Sequence, residues 1–260
     1  MSRRRLDLEL VRRGLVESRT AARRAIEEDR VLVDGVVRPR AATMVAPSAG
    51  VSLRTMDRTW VGRGGDKLAG ALETFDVAVT DRHCLDVGAS TGGFTDVLLA
   101  HGAAAVTALD VGYGQLAWRL RTDDRVTVIE RTNIRHADPE AIGAPFDLVV
   151  VDVSFISIAT IAEALASCGR DGSDYVILVK PQFEVGKDEV SRGGLVTDPT
   201  LHARAIESAA SALADHRIGP QAAALSQITG AKGNREFFLH ARHGSLPALD
   251  PAAIGRVVAP

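Results

Sequence analysis

Apolar residues follow two regimes along this chain. Up to residue 62 they form two short helical clusters and then clipped strands. Leu6, Leu10 and Val11 share a helical face, and Gly14 is placed as a stop. Ser18 suits the N-cap of a second helix that turns Ala21, Ala22, Ala25 and Ile26 inward. Val31-Leu32-Val33, Asp34-Gly35 and Val36-Val37 predict a hairpin, because Asp-Gly accepts the positive φ of a type I′ turn. Ala46-Pro47-Ser48-Ala49-Gly50 is a turn ahead of a last strand at Val51-Ser52-Leu53.

Beyond residue 63, short apolar runs alternate with amphipathic stretches. Strands are predicted at 83–87, 105–111, 126–130, 146–152, 174–180, 221–227 and 235–241, and helices near 66–75, 92–101, 114–121, 156–168 and 198–215. That alternation implies a parallel sheet wrapped by helices. Only Ile228 to Asn234 separates the last two strands, too short for a crossover helix, so an antiparallel closing pair is expected. The expected fold class is α/β, a Rossmann-like seven-stranded sheet whose one reversed strand near the end is the layout of methyltransferases, behind a small N-terminal α+β domain. The expected boundaries are 1–57 for the small domain, 58–62 for a linker, 63–243 for the large domain and 244–260 for a C-terminal tail.

Charge separates the same two parts. Residues 1–62 carry 13 Lys and Arg against 8 Asp and Glu, a surplus of 5, while the remainder carries 18 against 25, a deficit of 7. A basic arm on an acidic body assigns any polyanion to the arm. Arg5, Arg12, Arg13, Arg19 and Arg23 are its candidate RNA contacts, and Arg19 and Arg23, four apart, project from one helical face. An ordinary solvated basic face is the alternative. The acids in Leu6-Asp7-Leu8-Glu9-Leu10 break any signal-peptide core, and no apolar run reaches the roughly 18 residues of a membrane span. The two cysteines, Cys84 and Cys168, sit in apolar segments as buried free thiols, which points to a cytoplasmic compartment.

The candidate chemistry lies in five marked segments. Cys84-Leu85-Asp86-Val87 runs into Gly88-Ala89-Ser90-Thr91-Gly92-Gly93 and then a helix. The spacing G-x-x-x-G-G differs from the G-x-G-x-x-G of dinucleotide binders, which disfavours a nicotinamide-dependent oxidoreductase. Asp86 suits the ammonium of S-adenosylmethionine, and Asp110, closing the next strand, suits ribose hydroxyls. Lys67 in GRGGDKL (62–68), Asp152 in LVVVDVSF (148–155), Lys180 in ILVKPQFE (177–184) and Glu236 in GNREFF (233–238) are charges at strand or helix ends. Each alone could be a solvated end. A lysine in the first turn of a helix opposes its dipole, which gives Lys67 a mild claim to another purpose. Together they suit deprotonation of an alcohol during methyl transfer. Lys180 is the expected base, provided burial and a neighbouring cation depress its pKa. Lys67 is that cation, and Asp152 and Glu236 hold the ammonium groups.

The ordered set Lys67, Asp152, Lys180 and Glu236 resembles the Lys-Asp-Lys-Glu tetrad of FtsJ-like 2′-O-methyltransferases. The stretch Arg5-Leu6-Asp7 to Ala22, with Val31-Leu32-Val33-Asp34-Gly35, is similar to a small RNA-binding domain shared by a ribosomal protein and some pseudouridine synthases. In this order, with Arg58-x-Trp60-Val61, GASTGGFTDVLL (88–99), DVGYGQLAW (110–118), DVSFIS (152–157) and KPQFEVGK (180–187), they resemble the TlyA (haemolysin A) family of rRNA ribose methyltransferases. Asp188-Glu189 matches no family pattern and touches no catalytic position. The resemblance implies S-adenosyl-L-methionine as cofactor, bound by Asp86, Gly88 to Gly93, Asp110, Val111, Asn133 and Asp152, with no metal. It also implies 2′-O-methylation of cytidine in 23S rRNA, and the Arg-rich N-terminus and the tail after 243 extend this to 16S rRNA. Ribosomal RNA or its subunits are the expected partners, without DNA or membrane. An RNA-binding assembly protein with an inactive methyltransferase fold and a membrane-lytic protein are the competing classes. The intact tetrad opposes the first, and the lack of a spanning segment the second.

Overall fold

The computed structural model describes residues 3–27, 30–38, 40–54, 60–230 and 233–259. They divide into two compact units, Met1–Thr59 and Trp60–Pro260.

In the small unit, strand β1 (Arg4–Arg5) leads into helix α1 (Leu6–Arg12), followed by α2 (Arg19–Glu27), β2 (Val31–Val33), β3 (Val36–Val37), β4 (Met44–Val45) and β5 (Val51–Leu53). Gly14 takes φ +69°, and the Ala21 amide donates to Ser18 Oγ at 3.1 Å, so the predicted stop and N-cap are both present. Asp34 and Gly35 both have positive φ, as a type I′ turn requires, and β2 is flanked by β3 and β5 in antiparallel register. Leu6, Leu10, Ala22, Ala25, Ile26, Val31, Val33 and Val45 form this unit's own core.

The large unit runs α3 (Arg63–Phe75), β6 (His83–Val87), α4 (Gly93–Ala100), β7 (Ala105–Leu109), α5 (Trp118–Arg121), β8 (Val126–Ile129), α6 (Pro139–Ile142), β9 (Phe146–Val151), α7 (Ile158–Ala166), β10 (Gly169–Val179), α8 (Pro181–Glu184), α9 (Pro199–Asp215), β11 (Ile218–Leu225), β12 (Phe237–His243) and α10 (Pro251–Val258). Its seven-stranded sheet has the order β11-β12-β10-β9-β6-β7-β8. All neighbours pair in parallel except β12, which is antiparallel to both β10 and β11. The sheet is buried on both faces. Leu85, Val87, Val149 and Val151 face a cluster with α7, α9 and α10, while Cys84, Leu148 and Val150 face one with α3 and α4.

Several boundaries differ from expectation. The helix predicted at 114–121 keeps only Trp118–Arg121, because Gly114 at φ +68° belongs to a loop. The segment expected as a tail contains α10, whose N-cap Asp250 accepts from the Ala252 amide at 2.8 Å and whose Ile254 and Val258 are buried in the sheet's core. Of the expected linker, Arg58 and Thr59 lie outside the described residues. Val61 is seated on the large unit, its amide donating to Asp96 Oδ2 at 2.9 Å. Among the described residues no helix is long and apolar enough to cross a membrane.

Candidate active site

From β6 the chain steps outward through β7 and β8, then crosses back to place β9 and β10 on the other side of β6. The loops leaving β6 and β9 therefore part, and ligands bind in such a crevice at the carboxyl ends of the strands. There the structure has a cavity of about 490 Å³, within the range of small-molecule sites.

The loop after β6 shapes one wall. Gly88 has φ +88°, and a Cβ there would stand 2.3 Å from the Asp152 backbone oxygen, so only glycine lets the two strand ends pass this closely. The Gly88 and Ala89 amides donate to Leu109 O at 2.8 and 3.1 Å. Asp110 then buckles the loop, its Oδ2 accepting from the Ser90 amide at 2.7 Å and its Oδ1 from the Gly112 amide at 2.6 Å. A carboxylate retains further lone pairs after two such bonds, so Asp110 can still accept from a ligand hydroxyl.

Of the expected cofactor residues, Gly88, Ser90, Asp110, Val111, Asn133 and Asp152 line the cavity. Asp86, Ala89, Thr91, Gly92 and Gly93 are not among its lining residues. A Cβ on Gly92 would meet the Leu120 side chain at 2.2 Å, and one on Gly93 the Gly65 amide nitrogen at 2.8 Å. These glycines permit close packing of α4, a use their spacing could not distinguish from ligand approach. Asp86 is fully buried, with Oδ2 accepting from the Thr95 amide at 2.9 Å and hydroxyl at 2.6 Å. Burial pushes its carboxyl up to about 7, against the Thr95 hydroxyl and with the Asp152 and Asp110 charges adding to the rise. Its Oδ1 is buried without a hydrogen-bond partner. An orphaned carboxylate oxygen behind a cavity carrying Asp110 and Asp152 fits a ligand with a ribose and a cationic end, as expected for S-adenosylmethionine.

Asp152 and Lys180 are the first residues beyond the parallel neighbours β9 and β10, and Lys180 Nζ reaches Asp152 Oδ1 at 2.5 Å and donates to Ser154 Oγ at 3.0 Å. Glu236 immediately precedes β12, and its Oε2 accepts from Lys67 Nζ at 2.5 Å. Both lysines and Glu236 are buried. Burial works to raise the Asp152 carboxyl, but the Lys180 and Lys67 ammonium groups outweigh it and hold it below the usual carboxylate range. The four expected residues thus form one cluster of two ion pairs. Helix α3 starts at Arg63, three residues before its predicted beginning, so Lys67 lies in the second turn and does not oppose the dipole at the helix start as expected.

Gln115 and Thr132, which no sequence signal marked individually, also line the cavity, as does Phe155 of the DVSFIS segment. Phe155 is 90% exposed at φ +66°, a costly conformation for a bulky residue, and its ring lies 5.0 Å from that of Phe183. Its advance signals were its place after an apolar strand and within DVSFIS (152–157).

In the small unit, two buried carboxylates organise the expected arginines. Arg5, Arg19 and Arg23 gather on Asp7 Oδ2 at 3.0, 3.3 and 3.8 Å. Arg12 and Arg13 share Glu9 Oε1 at 2.6 and 2.8 Å. Hydrogen bonding from Arg5 takes Asp7 down to about 2 against its burial, and bonds from Arg12 and Arg13 do the same for Glu9. Arg13 also donates to Ala49 O at 2.9 Å and Pro47 O at 3.1 Å, so it is committed to the unit's own backbone more than to a surface. Arg5, Arg12, Arg19 and Arg23 remain between 39% and 56% exposed.

Residues 60–243 match the family model described as FtsJ-like methyltransferase, and residues 4–51 match the S4 domain. The chain is 53% identical, over 93% of its length and 91% of the relative's, to the "16S/23S rRNA (cytidine-2'-O)-methyltransferase TlyA" of Mycobacterium tuberculosis. It is 33% identical, over 74% of each, to the "23S rRNA (cytidine-2'-O)-methyltransferase TlyA" of Campylobacter jejuni. A solved structure from Streptococcus thermophilus superposes with a TM-score of 0.77 at 36% identity, covering 99% of this chain and 95% of that one.

Proposed function

The chain belongs to the FtsJ-like methyltransferase family, and from that premise we propose that it is an S-adenosylmethionine-dependent 2′-O-methyltransferase acting on cytidine ribose in 23S and 16S rRNA. The observation that carries the chemistry is the pair of buried lysine–carboxylate contacts, Lys180 with Asp152 and Lys67 with Glu236, at the cavity behind the glycine turn.

Bound S-adenosylmethionine supplies an electrophilic methyl group on a positively charged sulfur. Asp110 would accept from its ribose hydroxyls, and Asp152 would present negative charge to its amino-acid end. A ribose hydroxyl is a poor nucleophile until its proton is removed as the new bond forms. Lys180 Nζ, held in place by Asp152 and Ser154, takes that proton in its neutral amine form and becomes the ammonium that pairs with Asp152. Lys67, fixed by Glu236, is the second lysine of the cluster.

The arginines around Asp7 and Glu9 present guanidinium groups to RNA phosphates, supporting the small unit as the RNA-binding part. Greater identity to the relative named for both rRNAs than to the one named for 23S alone supports substrates in both subunits. Such substrates place the protein in the cytoplasm. Transfer of labelled methyl groups to isolated small and large subunits tests this: label in both is expected, and label in neither would refute the function.

A further inference from the structure

We infer that Glu184 is a positioning residue for the methyl-transfer site, clamping the turn that follows Lys180 to the start of α7 and thereby fixing the Lys180 ammonium against Asp152 and Ser154. The inference rests on the function proposed above and names a residue outside the tetrad.

Helix α7 begins at Ile158 with Ser157 as N-cap, yet the Ser157 hydroxyl makes no cap hydrogen bond and instead pairs with Thr160 Oγ1 at 2.9 Å. The first turn of a helix leaves amide donors that require an acceptor. One comes from another segment: the Ile158 amide donates to Glu184 Oε1 at 3.0 Å. Glu184 ends the single helical turn α8, which begins immediately after Lys180 and is closed by the Phe183 amide donating to Lys180 O at 2.8 Å.

These bonds close a ring. From Lys180 the chain passes through α8 to Glu184, across to Ile158, back along the loop to Ser154 and Asp152, and from their side chains to Lys180 Nζ at 3.0 and 2.5 Å. The Phe155 and Phe183 rings, 5.0 Å apart, join the same two segments. Without the Glu184 contact, the backbone bearing Lys180 and the loop bearing its acceptors can separate. A displacement of about 1 Å at a reacting group costs on the order of a hundredfold in rate.

A purely structural filler would not be a carboxylate here. Burial pushes the Glu184 carboxyl up to about 7, opposed by the Ile158 amide, and its Oε2 is buried with no partner. Such an arrangement is costly unless the contact it makes is needed.

The test compares full-length Glu184→Ala, Glu184→Leu and Glu184→Gln with the unsubstituted protein on ribosomal subunits. Gln keeps an acceptor for Ile158, whereas Ala and Leu do not, and Leu retains the bulk should the Ala variant fail to fold. Expected is a kcat about tenfold or more lower for Ala and Leu, with KM for S-adenosylmethionine within about twofold, and near-normal kcat for Gln. Unchanged kcat in Leu would overturn the inference, and so would a Gln variant as slow as Leu or a defect confined to KM. Failure of the unsubstituted protein to transfer methyl would instead remove the underlying function.

Discussion

Lys67 and Glu236 stand 169 residues apart in the chain and meet at 2.5 Å in the buried interior of the site. The contact ties the second turn of α3 to the entry of β12, the one reversed strand of the sheet, and so joins distant segments of the large unit at the lysine–carboxylate cluster. Removing one partner of a buried ion pair leaves an uncompensated charge, which costs about 3–5 kcal/mol.

Lys67→Met and Glu236→Gln are each expected to lower the thermal midpoint of the large unit. Because both remove the same contact, the double substitution should cost clearly less than the two single losses combined. Additive losses in a double-mutant cycle would show that the pair contributes no coupling.

Lys180→Ala is expected to bind S-adenosylmethionine with near-normal affinity by calorimetry while methyl transfer falls by at least about a hundredfold, the usual scale of general-base loss. Normal turnover in that variant would remove Lys180 from the base role and pass it to Lys67.

At Gly88, alanine must place its Cβ against the Asp152 backbone oxygen and adopt φ +88°. Gly88→Ala should destabilise the large unit by about 1–3 kcal/mol and weaken cofactor binding, since both strand ends move. Wild-type affinity and melting would show that the loop relaxes without disturbing the cavity.

Acid should act on the small unit through Asp7 and Glu9. Both carboxyls are held at about 2 in the folded chain, below their ordinary values, so their contribution is fully present above about pH 4.5 and is lost as pH falls toward 2. Hydrogen exchange of amides in α1 and α2 of the whole chain should accelerate over that window, and Asp7→Asn with Glu9→Gln should flatten the response. An unchanged acid profile in the double variant would place the transition elsewhere.

Deleting residues 1–59 is expected to leave cofactor affinity intact, because every residue lining the cavity belongs to the other unit, and to abolish rRNA methylation. In the whole chain, RNA affinity should fall steeply as salt rises, through counterion release. Full activity from the shortened chain, or a flat salt profile, would deny the arginine face its role.

The central strands were legible because their burial on both faces writes continuous apolar runs, as in Leu148 to Val151. The tetrad was legible for a related reason: Asp152 and Lys180 end such runs, where a charge has few other places to point. Helix α10 was missed although Asp250-Pro251 carries the same N-cap and N1 signature as Asp198-Pro199 ahead of α9. The β11 start was hidden by Gly219 and Pro220, residues that ordinarily argue against a strand. Nor could spacing tell which glycines face a ligand. Gly88 and Gly92 both have positive φ, but one opens the cavity and the other admits Leu120. The carboxylates beneath the arginines looked like interruptions of an apolar run, because their value depends on long-range partners such as Arg19 on Asp7.

Mass-spectrometric mapping of 2′-O-methyl groups on rRNA from otherwise identical cells, with and without this protein, reads out the proposed methyl transfer itself. Cytidine ribose marks in 23S and 16S rRNA are expected only with the protein, and are expected to be absent with Lys180→Ala. Identical ribose maps in the two strains, or a new mark on a base in place of the ribose, would contradict it.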